Sequence, residues 1–505
     1  MAILRTVKIG RRTGHQLQGK QDPPHIESFY HLSSEKTADR HCQGTACFVA
    51  QHLNPDRWSA AVSQEPRTYC LGSCFAAPAS SSELARPPMK IRSREPIVLG
   101  PIVDGPIRSL AAYTAREGYR QLERALNGSR EELLRAVERS ELRGRGGAGF
   151  PTGRKWRVVA ERPESPKYVV ANADEGDPGA YIDRFLLEDD PHRLIEAMAI
   201  AGYAIGGMQG YIYLRKEYPQ AAVTITQALD EARRGGFLGD RILHSHFSFD
   251  IELIVGRGSY ICGEETALLN SMEGHRPEVR LRPPYPSEAG LFGKPTLINN
   301  VETLASIPWI VGNGGDAFRR LGFSNSRGSK VLSLNSLFRA PGLYEVEFGI
   351  GIRQIVEELG GGLKTGTAKG VLIGGPLAGI VPPQLFDTLL GFEELARIGA
   401  SVGHGGVIAF DEHTPIAALI HHVFDFGAYE SCGKCTPCRL GSRRIERLFQ
   451  QFTEVGRASA HEKKEVAEIV SALAMTSLCG LGTGLADFAL SAARYYAEEL
   501  DPCFG

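Results

Sequence analysis

Apolar residues in the middle of the chain form short continuous runs that alternate with segments of helical periodicity. The apolar runs lie at 167–173, 211–215 and 251–256, and the helical patterns lie at 191–206 and 219–233. Continuous runs of this length are typical of strands buried on both faces, and their alternation with helices is typical of parallel sheets. The sequence therefore predicts an α/β layer with a largely parallel sheet.

The pattern changes on both sides of this region. Short β-rich stretches surround one helical pattern after residue 329, and only helical patterns follow residue 413. A small cysteine-bearing unit precedes the α/β region and ends in a linker rich in serine and proline. We therefore expect a multidomain α/β protein. The predicted divisions are a disordered tail at 1–24 and units at 25–90, 91–328, 329–412 and 413–505.

Composition and charge narrow the class of protein. The 505 residues are 42% hydrophobic and 23% charged, with a net charge of −1, so nothing draws the chain to nucleic acid or anionic lipid. No apolar run reaches the length of a membrane span, and the first residues contain no hydrophobic signal core. The ten cysteines fall mostly in metal-ligand spacings, which suit a reducing cytosol, so we expect a cytoplasmic location.

Four cysteines near the C-terminus indicate a metal site. Cys432, Cys435 and Cys438 form a C-x2-C-x2-C triplet, and Cys479 follows at a distance. Three thiolates on one turn with a remote fourth are typical of a [4Fe–4S] cluster. A zinc site with four cysteines is the alternative, although zinc sites usually pair their cysteines as two C-x2-C knuckles.

A glycine-rich loop is the second candidate site. It contains Gly144, Gly146 and Gly149 in a G-x-G-x-x-G spacing, but it follows a predicted helix, whereas the dinucleotide fingerprint follows a strand. Its backbone can still form an anion nest, and Arg145, Arg154 and Lys155 supply positive charge. Phe150 and Trp156 suggest stacking on a flat ligand, and a flexible surface loop is the alternative.

Polar residues follow three of the predicted strands or turns. Asn172, Asp174, Glu175 and Asp177 come after one strand, where ligands gather in open α/β sheets. Glu264 and Glu265 lie near a helix start, where a carboxylate can accept ribose hydroxyls or simply cap the helix. The adjacent amides Asn299 and Asn300 can read the edge of a flavin or nicotinamide, or serve as turn residues.

As a set, these motifs resemble one family. The runs GRGGAGFPTGRKW, NADEGDPG, YICGEETALLNSMEG, INNVET and ESCGKCTPCR with SLCG occur in order over about residues 100–505. They are similar to the NADH-oxidising flavoprotein subunit of complex I, the diaphorase subunits of NAD-reducing hydrogenases and the beta subunits of NAD-dependent formate dehydrogenases. The resemblance implies FMN, NAD(H) and a [4Fe–4S] cluster as cofactors. It also implies a ubiquitin-like β-grasp unit at 329–412.

The resemblance implies roles for individual residues. Glu175 and Asp177 would position the nicotinamide over the flavin. The residues implied to line the FMN are Gly144, Gly146, Gly147, Lys155, Asn172, Asp174, Tyr260, Gly263, Glu264, Asn299 and Asn300. The residues implied to contact NADH, besides those two acids, are Phe150, Glu265, Arg282 and Tyr285, with the two aromatic rings around the adenine. Asp177 stands where glutamate is common, which is nearer the formate dehydrogenase and hydrogenase branch.

The N-terminal cysteines extend the resemblance. Cys42 with Cys47, and Cys70 with Cys74, form C-x4-C and C-x3-C pairs. They are similar to the thioredoxin-like [2Fe–2S] domain of the small complex I partner subunit. Only 22 residues separate the pairs, fewer than that family has, so the sequence leaves open whether a cluster is retained.

The function expected from the resemblance is electron exchange between NAD(H) and a partner complex. We expect the beta subunit of an NAD-dependent formate dehydrogenase, with a hydrogenase diaphorase or a complex I subunit as alternatives. Expected partners are a catalytic formate dehydrogenase or hydrogenase subunit and a small [2Fe–2S] subunit, with no nucleic acid and no membrane insertion. A non-catalytic scaffold holding zinc is the alternative from another class.

Overall fold

The computed structural model of the protein describes residues 39–82, 85–455 and 459–504. The predicted tail at 1–24 and the first part of the unit at 25–90 lie outside the described residues. The described chain forms a parallel sheet, a mixed sheet and a C-terminal group of helices around a hydrophobic core. This mixed α/β architecture with a helical C-terminal region agrees with the predicted fold class, whereas the division into domains stays a prediction.

The strands fall into three sheets. In chain order they are β1 (Met89–Ile91), β2 (Tyr168–Ala173), β3 (Gln209–Leu214), β4 (Asp250–Val255), β5 (Thr296–Asn300), β6 (Gly322–Phe323), β7 (Ser326–Arg327), β8 (Ser329–Leu334), β9 (Gly342–Glu347), β10 (Ala368–Ile373), β11 (Ile380–Val381) and β12 (Gly406–Asp411). The short strands β6 and β7 form a hairpin of their own.

The first sheet is wholly parallel, in the order β4-β3-β2-β5. Its first three strands coincide with the predicted apolar runs to within two residues. In the central strand β2, Val169, Val170 and Ala171 are fully buried, as both faces of a parallel sheet require. The register places Asn172 of β2 beside Asn300 of β5, so polar residues gather at one carboxyl edge.

Helices surround this sheet and connect the strands. Up to the end of the parallel sheet they are α1 (Thr45–Val49), α2 (Pro55–Val62), α3 (Leu110–Thr114), α4 (Arg120–Asn127), α5 (Arg130–Arg139), α6 (Thr152–Glu161), α7 (Ile182–Asp189), α8 (Pro191–Ile205), α9 (Pro219–Arg234), α10 (Glu265–Met272), α11 (Pro286–Ala289), α12 (Val301–Ala305), α13 (Ile307–Asn313) and α14 (Gly315–Arg319). The predicted capping box of Ser129 and Glu132 opens α5. Helix α8 packs on β2 and β3, and its apolar residues are buried around its whole circumference.

The second sheet is mixed, in the order β1-β9-β8-β12-β10-β11. Strand β8 pairs antiparallel with β9 and parallel with β12. One π-helical segment, Gln354–Leu359, and helix α15 (Phe392–Arg397) accompany the sheet. The loop that follows β10 and the loop that precedes β12 approach the carboxyl edge of the first sheet. The two loops are in close contact there at Gly374 and Gly403.

Residues 39–82 form helical turns and contain no strand, apart from a bridge between His41 and Ser80. This described part therefore lacks the sheet expected of a thioredoxin-like unit. Arg67 contacts Asp425 of the C-terminal helices at 2.6 Å, which fastens the unit to the rest of the chain. The described part of the unit consists of short helices and loops around four cysteines.

The C-terminal region is helical, as the sequence predicts. Its helices are α16 (Ile416–Glu430), α17 (Ser442–Val455), α18 (Ala460–Thr476), α19 (Gly480–Tyr495) and α20 (Ala497–Leu500). Helix α16 packs against α17 and α19, and a π-helical turn at Pro437–Gly441 precedes α17.

Within the part of the chain that the structure covers, every helix is too short or too polar to span a lipid bilayer.

Candidate functional site

A cavity of about 880 Å³ lies at the carboxyl edge of the parallel sheet. The glycine loop, the ends of β2 and β5, the turn at 260–265 and the loop around residue 403 enclose it. All the residues that the sequence assigns to FMN and NADH line this cavity, except Glu175. These lining residues are Gly144, Gly146, Gly147, Phe150, Lys155, Asn172, Asp174, Asp177, Tyr260, Gly263, Glu264, Glu265, Arg282, Tyr285, Asn299 and Asn300.

Glu175 lies behind the cavity wall and faces away from it. Its carboxylate accepts hydrogen bonds from the backbone N–H groups of Ile182, Asp183 and Arg184, and from the Tyr218 hydroxyl. A carboxylate at the start of a helix satisfies N–H groups that have no partner inside that helix. Glu175 therefore secures α7 and does not line the cavity, so its role in positioning the nicotinamide stays a prediction.

The glycine loop adopts the backbone that a ligand cradle requires. Gly147 has φ +124° and Gly149 has φ +60°, conformations that favour glycine. A Cβ on Gly146 would lie 2.9 Å from the Cβ of Asn300, so the loop and the end of β5 are in close contact. The loop therefore has room for a ligand on its cavity side, whereas at Gly146 its other side is too close to Asn300 for a side chain.

Two residues near this loop differ from the prediction. Arg145 is 1% exposed, and its guanidinium donates to the carbonyls of Arg143 and Arg327 instead of facing the cavity. Trp156 is fully buried and donates to Asn299 Oδ1 at 2.9 Å, so it holds the amide in place and cannot stack on a ligand. Lys155 and Arg154 supply the positive charge of the cavity.

Positive and negative side chains are paired in one wall. Lys155 Nζ lies 3.1 Å from Glu265 Oε2, and Arg282 Nη1 lies 3.4 Å from Glu265 Oε1. Glu264 caps α10 with one oxygen, which accepts from the N–H groups of Thr266 and Ala267, and pairs with Arg282 through the other. Both carboxylate oxygens of Glu265 thus lie near cations of the cavity, whereas only one oxygen of Glu264 does.

Two acidic residues of the cavity wall, Asp174 and Asp177, are largely shielded from water, and Tyr260 binds one of them. Burial raises the pKa of Asp174 well above its usual value and also raises the pKa of Asp177. The Tyr260 hydroxyl donates to Asp177 Oδ1 at 2.6 Å. Asn172 donates to the Gly263 carbonyl at 2.7 Å, which ties β2 to the turn that carries Tyr260. These bonds give the wall a fixed pattern of donors and acceptors.

Two aromatic rings are exposed within the cavity wall. Phe150 is 45% exposed and Tyr285 is 53% exposed, and both line the cavity. Exposed aromatic rings at the edge of a polar cavity are suited to stacking on a planar ring.

The C-terminal cysteines form a second site beside the cavity. Cys432 and Cys438 are buried, and Cys435 and Cys479 are half-buried. Cys479 is the N-cap of α19 and also lines the cavity, together with Gly480 and Leu481. Burial raises the pKa of Cys438 to about 12 and that of Cys479 to about 11. Bare thiolates are thus disfavoured here, and a bound metal cluster would stabilise them.

The N-terminal cysteines form a third group of sulfurs. All four are buried, Cys70 Sγ lies 3.6 Å from Cys74 Sγ, and Cys42 and Cys47 are hydrogen-bonded to each other. The backbone N–H groups of Gly44, Gly72 and Ala79 donate to three of the sulfurs at 3.3–3.4 Å. Hydrogen bonds of this kind to cysteine sulfur are a feature of iron–sulfur sites. The geometry therefore fits a metal cluster bound by the two pairs.

The cavity is also lined by a residue that the sequence analysis missed, His404. His404 is 6% exposed, and its Nε2 lies 3.1 Å from Glu175 Oε1 and 3.2 Å from Asp183 Oδ2. Asn300 donates to the same Asp183 oxygen at 2.6 Å. His404 matches none of the motifs and lies far along the chain from these partners, so no signal in a single sequence could have brought it to them.

The fold and the site define the class of protein. Glycines, amides and carboxylates surround a cavity at the carboxyl edge of an α/β sheet, and a four-cysteine site shares a wall with that cavity. This is the arrangement of an iron–sulfur oxidoreductase in which a nucleotide and a flat redox cofactor are bound beside a metal cluster.

Comparisons with known proteins identify the family. Residues 137–309 match the Nuo51 FMN-binding domain, and residues 418–502 match the NADH-ubiquinone oxidoreductase-F iron–sulfur binding region. The NADP-reducing hydrogenase subunit HndC of Solidesulfovibrio fructosivorans is 43% identical over 396 residues, covering 78% of this chain and 80% of that one. An NADH-quinone oxidoreductase subunit of Rhizobium meliloti (strain 1021) is 41% identical over 409 residues, covering 80% of this chain and 96% of that one.

A solved structure agrees with these relatives. The NAD+-reducing [NiFe]-hydrogenase in its air-oxidised state aligns with a TM-score of 0.77 and 28% identity, over 95% of this chain and 88% of that one. The chain therefore belongs to the family of NADH-binding flavoprotein subunits that complex I and related hydrogenases contain. Its cofactors are accordingly FMN, NAD(H) and a [4Fe–4S] cluster.

Proposed function

We propose that the chain exchanges a hydride between NAD(H) and FMN and passes single electrons to or from the [4Fe–4S] cluster formed with Cys432, Cys435, Cys438 and Cys479. FMN, when bound, supplies the conversion between two-electron and one-electron transfer. The observation that carries this proposal is the shared wall, since Cys479 and the flavin-loop residue Gly146 line one cavity.

The side chains of this protein bind and orient the reactants. Phe150 and Tyr285 would stack on the adenine at the edge of the cavity, and Asp177, held by Tyr260, would position the nicotinamide. Holding the two reactants in contact is proximity catalysis, and a hydride that passes directly between nicotinamide and flavin needs no side chain as a nucleophile.

We propose formate as the electron donor of the complete complex, because the short cysteine-bearing unit that precedes the α/β region favours that branch of the family. Hydrogen is the second candidate. It is favoured by the similarity to the NAD+-reducing [NiFe]-hydrogenase, which extends over 95% of this chain. In either case the partner would be an iron–sulfur subunit of a larger complex.

Isolation of the complex tests the proposal. The full chain is purified with its natural partners, and the partners are identified by mass spectrometry. A copurifying formate dehydrogenase subunit would support formate, and a [NiFe] subunit would support hydrogen. Release of FMN on acid treatment, with iron in the protein, is expected in both cases. Colourless protein with stoichiometric zinc would instead indicate a non-catalytic scaffold.

Glu265→Gln is expected to relax the rejection of NADPH. The substitution removes the negative charge that faces Lys155 and Arg282, and the two cations then become available to a 2′-phosphate. We expect the ratio of kcat/KM for NADPH to that for NADH to rise by about tenfold or more, equivalent to about 1.4 kcal/mol. Steady-state rates with both nucleotides and a dye acceptor measure it.

A matched control for this variant lies at the end of the same helix. Glu273 is also paired with an arginine, Arg280, but it lies outside the cavity wall. Glu273→Gln should leave the nucleotide preference unchanged. If Glu265→Gln also leaves it unchanged, Glu265 does not contact the ribose.

We further propose that Cys42, Cys47, Cys70 and Cys74 hold a [2Fe–2S] cluster. The paired sulfurs and their three N–H donors support this assignment. Arg215 connects this group to the cavity region, because its guanidinium donates to the carbonyls of Cys70 and Glu175.

Cys70→Ser is expected to lower the iron content of the purified chain from about six to about four atoms per chain, since a [2Fe–2S] cluster needs both of its cysteine pairs. Iron analysis with EPR of the dithionite-reduced protein measures the loss. Cys262→Ser is the control, because Cys262 is buried and belongs to neither group. Unchanged iron in Cys70→Ser, or a Cys70–Cys74 disulfide in the protein as isolated anaerobically, would show that the pairs hold no cluster.

A further inference from the structure

A buried bridge of three ionisable side chains lies at the floor of the flavin cavity. His404 stands between Glu175 and Asp183, and its Nε2 is 3.1 Å from one carboxylate and 3.2 Å from the other. The exposed fractions of the three side chains are 7%, 0% and 1%. Of the three, only His404 lines the cavity. Neither its sequence context nor the family assignment gives it a role.

The bridge is connected to the glycine loop through short contacts. Asn300 donates to Asp183 Oδ2 at 2.6 Å, and a Cβ on Gly146 would lie 2.9 Å from the Cβ of Asn300. On the other side, the closest atom to a Cβ on Gly147 would be the carbonyl carbon of Gly403, at 4.0 Å. The loop that is implied to hold FMN therefore contacts Asn300, which binds the Asp183 end of the bridge, and lies near Gly403, which precedes His404 in the chain.

The charges of the bridge follow from its surroundings. Burial alone would lower the pKa of His404, but attraction to Asp183 and Glu175 outweighs it and raises the pKa well above the usual value. Burial raises the pKa of Asp183 to about 6, whereas hydrogen bonds to His404 and the backbone lower the pKa of Glu175 in spite of burial. At neutral pH the bridge thus contains one imidazolium and two carboxylates.

The two carboxylates of the bridge outnumber its imidazolium, and other charged groups lie around it. Lys330 and Glu302 form their own buried ion pair behind Asp183, and Arg145 faces carbonyl groups away from the cavity. Asp177 lies on the same side as His404 and adds negative charge when ionised. Within the bridge, His404 is therefore the side chain that brings a positive charge to the cavity, which Lys155 and Arg282 also line.

We propose that the Glu175–His404–Asp183 bridge sets the reduction potential of the bound flavin. A flavin that accepts a hydride gains negative charge, and a cation in a low-dielectric cavity favours the reduced form. His404 supplies a cation at the cavity wall, and the two carboxylates behind it hold it in place and shift the potential in the opposite direction. His404 is thus a positioning and charge-balancing residue, and no bond to substrate is required of it.

Two variants of nearly unchanged shape test the sign of this effect. His404→Gln removes the positive charge and should lower the midpoint potential of FMN in the full chain. Asp183→Asn removes a negative charge and should raise it. Each shift should change the ratio of reduced to oxidised flavin at fixed potential by about tenfold, which is about 30 mV for a two-electron couple. Anaerobic spectroelectrochemical titration of the purified chain measures both.

The control is a buried histidine elsewhere. His192 Nε2 lies 3.3 Å from Glu231 Oε2, and the residue is fully buried outside the cavity wall. His192→Gln should leave the flavin potential unchanged. If His404→Gln does not fold, the rise expected in Asp183→Asn still tests the proposal.

Three results would overturn the proposal. Unchanged potentials in the variants would show that the bridge is electrostatically separate from the flavin. Shifts of the same sign in His404→Gln and Asp183→Asn would indicate a merely structural effect. A stoichiometric divalent metal in the wild-type chain that is lost in His404→Gln would show that the three side chains are metal ligands, since their ligand atoms lie within 4.8 Å of one another.

Discussion

Replacement of Cys435 by serine is expected to remove the [4Fe–4S] cluster and to stop electron transfer to the partner complex. The cluster needs all four of the C-terminal thiolates, and the half-buried Cys435 can be changed with little disturbance of the packed core. The flavin cavity is lined by Cys479 but not by Cys435. NADH-dependent reduction of a dye that takes electrons from the flavin should therefore persist in part.

The measurement separates these two activities. NADH oxidation is followed with a dye and, separately, with the copurified partner as electron acceptor, and iron content and EPR spectra are recorded. We expect partner reduction to be lost, because removal of a relay site lengthens the electron-transfer distance. Cys262→Ser, which changes a buried cysteine within the turn at 260–265 that does not line the cavity, should retain both activities. Normal partner reduction in Cys435→Ser would place the cluster off the electron path.

Gly146→Ala should deprive the chain of FMN. The new Cβ would lie 2.9 Å from the Cβ of Asn300, a separation that real structures essentially never show. Asn300 is fixed by its bonds to Asp183 and to the N–H of Thr303, so it cannot move freely. Overpacking of this kind costs about 1–3 kcal/mol. The Kd for FMN should therefore rise by roughly tenfold to a hundredfold.

Flavin fluorescence on titration of the deflavinated protein measures that Kd. Gly128→Ala is the matched control, because Gly128 is exposed and a Cβ there makes only ordinary contacts of 3.5 Å or more. It should bind FMN like the wild type. FMN binding of wild-type strength in Gly146→Ala would mean that the loop yields to the new methyl group and that close packing on Asn300 is not needed.

The sheet and the general position of the site could be predicted because their signals are local. Continuous apolar runs specify β2, β3 and β4, and residues that follow parallel strands must meet at one edge. Asn172 and Asn300 are neighbours for this reason. The spacing of Cys432, Cys435 and Cys438 likewise indicates a metal cluster from a few neighbouring residues.

Side-chain direction could not be predicted, because it depends on partners from distant segments. Glu175 turns away from the cavity since the N–H groups of α7 and His404 bind its carboxylate. Arg145 turns inward since the carbonyl of Arg327 lies 182 positions further along the chain and accepts its hydrogen bond. His404 enters the site on a loop of the second sheet, and no spacing rule connects it to the glycine loop.

The position of Cys479 couples the insertion of the iron–sulfur cluster to the retention of FMN. This residue begins α19 and belongs at once to the metal site and to the flavin cavity. A cluster bound by these cysteines would fix the start of that helix relative to the turn that carries Cys432. Chains synthesised under iron limitation should therefore have a loosened cavity wall and lose flavin more readily. Maturation of the enzyme would then proceed in a fixed sequence, with cluster insertion before stable binding of FMN.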